Sequence, residues 1–370
     1  MSDRITNVPD ADPETAATAA TAATAATAAT AATTESPAHT PHPAYDALII
    51  GAGPAGLSTA LVLGRARRRV LVVDGGEPRN APAAQMHGFL SRDGMPPADF
   101  LAVGRAEIAR YGVEILTGHV DDIVPRGRLD PHDTGTDPEF AVYLAGGPVL
   151  TTRHVVVATG LRDDLPDLPG LRDRWGIDVL HCPYCHGYEV RDQPLGVLAT
   201  QPHSVEHALL VRQWSPDTVY FAHGTDPSPA DRERLAARGI RIEDGEVKRI
   251  VADGGRLRGV ELADGRVVPR TAVFAGPTFE PHDGLLDAVD CVRNPDGWVA
   301  VDPSGRTSVP GVWAAGNAVD PRAQVITAAA HGSAIAAALN HDLVTADVTR
   351  AVAEARTASL PPFGPRPVLT

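Results

Sequence analysis

YDALIIGAGPAGLSTALVLG, residues 45 to 64, decides the fold. The apolar run 47–50 reads as a buried strand, Gly51, Gly53 and Gly56 follow in the spacing G-x-G-x-x-G, and the apolar residues beyond them recur with helical period. A second apolar run, VLVV, then ends in Asp74. A glycine triplet alone is a weak signal. Strand, glycines, helix, second strand and terminal acid in this order predict a dinucleotide site. A turn without Cβ atoms lets the backbone approach a pyrophosphate. The first helical turn, with Pro54 and Ala55, offers amides to its charge, and Asp74, followed by Gly75, can accept from ribose hydroxyls.

Working outward, short apolar runs alternate with helical patterns. Residues 47–50, 70–73, 155–158, 195–199, 218–222, 271–275 and 312–315 read as buried parallel strands. They fall into two sets, which predicts an α/β protein of two doubly wound Rossmann-like domains, the second inserted into the first. The expected boundaries place one nucleotide-binding domain at 45–165 and 286–345 and a central domain at 166–285. An N-terminal tail, 1–44, contains six Thr-Ala-Ala repeats with no larger apolar side chain to bury, and is expected to be disordered. Residues 346–370, ending in the Pro-rich SLPPFGPRPVLT, are expected to form a second tail.

At 370 residues the chain exceeds one ordinary core. Its net charge of −13 and lack of a basic patch argue against nucleic-acid and anionic-membrane partners and favour small-molecule or protein ones. The run RARRR, 65–69, reads as a solvated helix end. The acidic N-terminus has no apolar core, and no stretch approaches the roughly 18 apolar residues of a membrane span, so a cytoplasmic location is expected. Three cysteines there cannot form a disulfide framework, which points a close pair to redox or metal chemistry.

The close pair is in HCPYCHGYE, 181–189. Cys-x-x-Cys-His spells a haem attachment site, half a zinc site or a redox dithiol. Haem attachment requires export, for which the sequence has no signal. Zinc requires four ligands; Cys291 is the one other cysteine, and although His181, His186, His203 and His207 could contribute, they are not read as a second ligand pair. As a dithiol, Cys182 and Cys185 can close a small ring, and Pro183 favours a helical first turn that lowers a thiol pKa. His186, titrating near neutrality, is the first-choice acid/base and His181 the second. The other histidines, His87 and His331 among them, read as structural or solvated, and Cys291 as a small buried residue.

Three further stretches, GGEPRNAPAAQMHGFL (75–90), TTRHVVVATG (151–160) and GVWAAGNAVDPRAQVITAAAHG (311–332), complete a pattern. From Tyr45 to Asp342 the chain resembles the low-molecular-weight thioredoxin-reductase family of FAD-dependent disulfide oxidoreductases. The resemblance implies FAD extended along Gly51–Gly56, Asp74 and Gly75, passing Arg79, Asn80 and Gly160, and meeting Gly316 and Asn317, where the family usually has Asp. It places Gln324 and Val325 near the flavin's pyrimidine edge, at a helix starting near Ala323 whose positive end faces the ring. It makes Cys185 the flavin-proximal thiol and Cys182 the outer, exchanging one, with His186 where the family has an acid, and it implies a homodimer.

The family's central domain carries a second glycine turn, for NADPH. Here PLGVLATQPHSVEHALLV, 194–211, puts Ala199, Thr200 and Gln201 where glycines belong, followed by Pro202. His223, Gly224 and Thr225 stand where arginines would grip the 2′-phosphate. NADPH binding is therefore doubtful. A Cys-Pro-Tyr-Cys-His dithiol beside a degenerate second site resembles the dithiol oxidases of holomycin and gliotoxin type. Those enzymes form a disulfide in a small dithiol and pass the electrons to O2, giving H2O2. The alternatives are a disulfide reductase fed by NADPH or ferredoxin and a flavin redox sensor without turnover.

Overall fold

A computed structural model describes residues 45–126 and 138–358. The expected N-terminal tail, 1–44, and residues 359–370 lie outside the described residues.

The described residues begin with β1 (Tyr45–Ile50), α1 (Pro54–Arg65), β2 (Val70–Asp74), α2 (Pro97–Ala109), β3 (Glu114–Thr117), β4 (Val120–Pro125), β5 (Phe140–Leu144) and β6 (Val149–Val157). These strands align in the order β3-β2-β1-β6-β5-β4. β1 pairs in parallel with both β2 and β6. Successive residues of β1 face two different cores. Ala47 and Ile49 pack with α1, α2 and the C-terminal helix, while Leu48 and Ile50 pack with β4, β5 and the segment around Leu286. Burial on both faces is why this strand reads as an unbroken apolar run.

A linker strand, β7 (Leu161–Asp164), leads into the central lobe: β8 (Val179–Leu180), α3 (Pro183–His186), β9 (Leu195–Leu198), α4 (Ser204–Val211), β10 (Thr218–Phe221), α5 (Pro229–Ala237), β11 (Arg241–Glu243), β12 (Val247–Asp253), β13 (Arg256–Leu262), β14 (Val267–Pro269) and β15 (Ala272–Ala275). Its parallel sheet runs β11-β10-β9-β15-β8. Helices α4 and α5 cover one face, and the antiparallel sheet β12-β13-β14 covers the other. A second linker, β16 (Thr278–Pro281), pairs antiparallel with β7. After α6 (Gly284–Ala288), β17 (Val312–Ala314) returns to pair with β6, so the central lobe is an insertion in the first, as expected. Each of the seven runs expected as buried parallel strands matches a strand with a parallel neighbour, to within one residue at an end. β12 writes no apolar run because it buries just Val247 and Ile250.

The last helix, α7 (Val325–Ala358), continues through 346–358, the first part of the stretch expected as a tail. Asp347 on that part bonds Arg68 at 2.7 Å and Arg153 at 3.0 Å, which anchors the helix to the first lobe. The reading of RARRR as a solvated helix end is corrected at Arg68. That side chain is only 14% exposed and also bonds Asn340 at 2.8 Å, because α7 passes over the end of α1. The two helices cross so closely that a Cβ on Gly332 would overlap the Ala55 carbonyl oxygen.

Candidate active site

The carboxyl ends of β1, β6 and β17 meet at one crevice, where the strand order reverses. Gly51 leaves β1 with φ +103°, a value that side chains rarely adopt, and a Cβ there would lie 2.5 Å from the Ala158 carbonyl oxygen. A Cβ on Gly56 would overlap the Gly51 carbonyl oxygen. Gly53 is the N-cap of α1, Pro54 takes the first helical position, Ala55 is buried, and a Cβ on Gly53 would meet nothing within 4 Å. The first helical bond, from the Leu57 amide to the Gly53 carbonyl at 2.9 Å, leaves the earlier amides without helical acceptors. Asp74 accepts from the Ala52 amide at 2.9 Å and from Arg105 at 2.5 Å, tying β2 to the turn while its carboxylate keeps further lone pairs. Gly75 follows, beside the His119 ring, which a Cβ there would approach to 2.7 Å. A turn open at Gly53, with first-turn amides that have no helical acceptor and an acid on the neighbouring strand, fits an extended dinucleotide.

Across the crevice, Gly160 follows β6 with φ +74° and Gly316 follows β17 with φ +65°. Arg79 turns its fork to protein partners. It donates to both oxygens of Asp163 at 3.1 and 2.7 Å and to Asn317 Oδ1 at 3.3 Å, and lies over the Phe279 ring at 5.0 Å. It thus joins the first lobe to both linkers. Asn80 is half-buried, its carbonyl accepting from the Ala83 amide at 3.1 Å. The Asn317 amide donates to the carbonyls of Asp320 at 2.8 Å and Ala323 at 3.0 Å, two bonds that an aspartate could not make. It therefore shapes the turn that launches α7 at Val325, two residues after the expected start. Gln324 closes this side near Gly88: a Cβ on Gly88 would be 3.6 Å from Gln324 Oε1.

The dithiol follows β8 at the carboxyl edge of the central sheet. Cys182 and Cys185 form a disulfide with Cα atoms 5.3 Å apart, and both are half-buried. Cys182 caps α3 and Pro183 opens it, as the sequence predicts. The helix has only four residues, so it supplies little of the dipole expected to depress a thiol pKa. The turn rests on Trp214, whose ring lies edge-on to Tyr184 at 5.5 Å and would be 2.8 Å from a Cβ on Gly187. Tyr184 and Tyr188 are each 64% exposed beside it. Burial holds the His186 imidazole below the usual histidine range, and the nearby Glu189 carboxylate opposes that shift. His87, from the first lobe, lies 3.4 Å from Glu189 and 3.4 Å from Asp93, which brings the loop after β2 against the dithiol segment. Cys291 is buried, away from the pair, and its thiol is pushed up by burial.

The corresponding crevice of the central lobe is filled. Ser204 Oγ accepts from the Thr200 and Gln201 amides at 3.2 and 3.0 Å, so the amides that would face a pyrophosphate are taken. Thr200 Oγ1 donates to the Gly276 carbonyl at 2.7 Å and accepts from the Gly276 amide at 3.0 Å, bridging β9 to β15. Gln201 donates to Thr278 at 3.2 Å, and a Cβ on Gly276 would lie 2.9 Å from its side chain. At the end of β10, His223 accepts from the Val247 amide at 3.1 Å, and Arg232 pairs with Asp226 and Asp244 at 2.9 Å each. The surroundings are acidic where a 2′-phosphate would need free guanidinium groups. Sequence reasoning found the missing glycines but not this network, whose partners lie as far as 77 residues apart.

A family model described as pyridine nucleotide-disulphide oxidoreductase matches residues 45–333. The thioredoxin reductase tcpT of Claviceps purpurea is 34% identical over 283 residues, which cover 74% of this chain and 86% of that protein. A probable thioredoxin reductase of Arthroderma benhamiae is 32% identical over 305 residues, 75% of each chain. The crystal structure of HlmI, 58% identical, superposes with a TM-score of 0.82 over 85% of this chain and 98% of that one. An oxidoreductase from Agrobacterium tumefaciens, 36% identical, does so with a TM-score of 0.73 over 81% and 98%.

Proposed function

The chain belongs to the pyridine nucleotide-disulphide oxidoreductase family, as an FAD-dependent, thioredoxin-reductase-like enzyme, and from that premise we propose that it oxidises a small dithiol to a disulfide with O2 as the final acceptor. The observation that carries the reading is the contrast between the two crevices. The first is open around Gly53, while the second is closed by Thr200, Gln201 and Ser204. A reductase fed by NADPH needs both open. An oxidase that draws its electrons through Cys182–Cys185 needs only the first.

In this reading a substrate thiolate attacks Cys182 Sγ, the Cys182–Cys185 bond breaks, and Cys185 leaves with the electron pair. The second substrate thiolate attacks the substrate sulfur of the mixed disulfide, closes the substrate disulfide and releases Cys182. His186 takes the proton of the attacking thiol and returns it to the leaving sulfur, so the two substrate protons end on the enzyme dithiol. Bound FAD supplies two-electron redox chemistry, by which the pair returns to a disulfide and O2 becomes H2O2. Gly51, Gly53, Ala55, Gly56 and Asp74 hold its nucleotide, and Gly316, Asn317, Gln324 and Val325 hold the flavin end. Homodimerisation and a cytoplasmic location belong to the same reading; among the described residues no helix is long and apolar enough to cross a membrane.

Anaerobic mixing tests it. NADPH is expected to leave the flavin band unchanged, dithiothreitol to bleach it, and air to restore it with formation of peroxide. Rapid bleaching by NADPH would sink the proposal, and so would a band that neither reagent bleaches.

His186 sets a pH dependence. Burial destabilises its charged form, so the neutral base persists to lower pH than in an ordinary imidazole. Activity should rise with pH through a midpoint below the usual histidine value of about 6.5. His186→Gln is expected to remove that acid limb and lower kcat/KM about 100-fold near neutrality. A pH–rate profile that keeps the limb in the variant assigns the proton transfer elsewhere.

A further inference from the structure

Helix α4 holds a histidine that the thiol exchange does not use. His207 Nε2 lies 2.9 Å from the carbonyl oxygen of His181, the residue before Cys182. A carbonyl only accepts, so the nitrogen donates. His181 in turn places its Nδ1 3.3 Å from the Ala275 carbonyl at the end of β15. The two rings lie 5.6 Å apart, with His207 edge-on to Phe274 at 6.0 Å and His181 edge-on to Phe279 at 5.3 Å. Burial, reinforced by His181, pushes His207 down to about 4, so it is neutral near pH 7.

These bonds close a circuit with the network that fills the second crevice. Ala275 receives His181, and its neighbour Gly276 is bridged by Thr200. The Thr200 amide bonds Ser204 at the start of α4, and α4 returns through His207 to His181. The residue before the dithiol is thus tied by its carbonyl to α4 and by its side chain to the end of β15. The peptide between His181 and Cys182 is planar and trans, so a bond that fixes its carbonyl also fixes the direction of the Cys182 N–H. Cys182 itself is held extended, with φ −88° and ψ 112°, while its carbonyl receives the Cys185 and His186 amides at 3.1 and 3.2 Å.

We propose that α4, whose first turn would face a pyrophosphate in a working pyridine-nucleotide site, instead braces the dithiol, with His207 a positioning residue that orients Cys182 through the His181 carbonyl. The loss of the second nucleotide site and the placement of the exchanging thiol then have one structural origin. This rests on the dithiol-oxidase reading only for the claim that Cys182 meets the substrate.

The test uses the FAD-loaded full chain with His207→Leu, which fills the space without a donor, and His207→Gln, which keeps an N–H of similar reach. Two quantities are followed: kcat/KM for dithiothreitol oxidation, and the pH profile of iodoacetamide alkylation of reduced Cys182, read by mass spectrometry. Flavin content and melting temperature serve as controls. The leucine variant is expected to lose about 10-fold in kcat/KM and to shift the alkylation profile with flavin retained, whereas glutamine stays within about twofold of the parent. Should leucine prevent folding, His207→Asn, whose amide is too short to make the bond, takes its place. A donor-less variant that matches the parent in both readouts overturns the proposal, as does equal damage by leucine and glutamine. The alkylation profile remains readable if the protein oxidises no dithiol, so failure of the brace and failure of the proposed function are distinguishable.

Discussion

Cys185→Ser is expected to purify yellow and lower dithiol oxidation by about 10³-fold or more, because the enzyme disulfide that substrate must reduce no longer exists. The flavin should stay oxidised under any concentration of dithiothreitol in the absence of air. Cys182→Ser is expected to stop turnover equally while leaving FAD bound, because neither residue lies in the glycine turn. Both thiols sit in a four-residue turn seated on Trp214, and the substitution removes no packed carbon, so melting temperature should change little. Absorbance spectra, melting curves and peroxide assays on the two variants check this. Either variant turning over dithiol at a tenth of the parental rate or better would exclude the pair as the exchange site.

Gly56→Ala should be as damaging by a different route. The added Cβ would overlap the Gly51 carbonyl oxygen, which is backbone at the base of the turn and cannot rotate away as a side-chain end could. We expect a stability loss of about 3 kcal/mol or more together with colourless protein. Gly53→Ala separates fold from cofactor at the same turn. Its Cβ meets no protein atom within 4 Å and its φ of −76° suits alanine, so the melting temperature of the FAD-free protein should be unchanged. The methyl would instead occupy nucleotide space and weaken FAD retention by about 10-fold, measured as flavin lost on desalting. A Gly56→Ala protein that melts with the parent and stays yellow would refute the close-packed turn.

Much of this architecture is legible in the sequence, for identifiable reasons. β1, β2, β6, β9, β10, β15 and β17 are covered on both faces, so burial writes itself as continuous apolar runs. Gly51 and Gly56 are where main chain passes close to main chain, and no other residue fits. α7 was underestimated beyond 345 because what fastens it there is Asp347, whose partners Arg68 and Arg153 come from distant parts of the chain. Arg79 reads in the sequence as a cofactor contact, but its bidentate grip on Asp163 and its seat on Phe279 join the first lobe to the two linkers, which no local pattern encodes.

The sequence alone determined that there are two nucleotide-type folds, that one keeps its glycines and the other does not, and that a dithiol stands at the start of the second. Each of these depends on residues within a few positions of one another, where steric exclusion of a Cβ or the closing of a small ring is a local matter. Only the tertiary structure decided what occupies the crevice left by the missing glycines, and that α4 reaches back to the peptide before Cys182. Thr200 and Gln201 at that crevice, and His207 on α4, take partners just past β15, in β16 and just past β8. A hydrogen bond forms wherever folding brings donor and acceptor together, regardless of their separation along the chain.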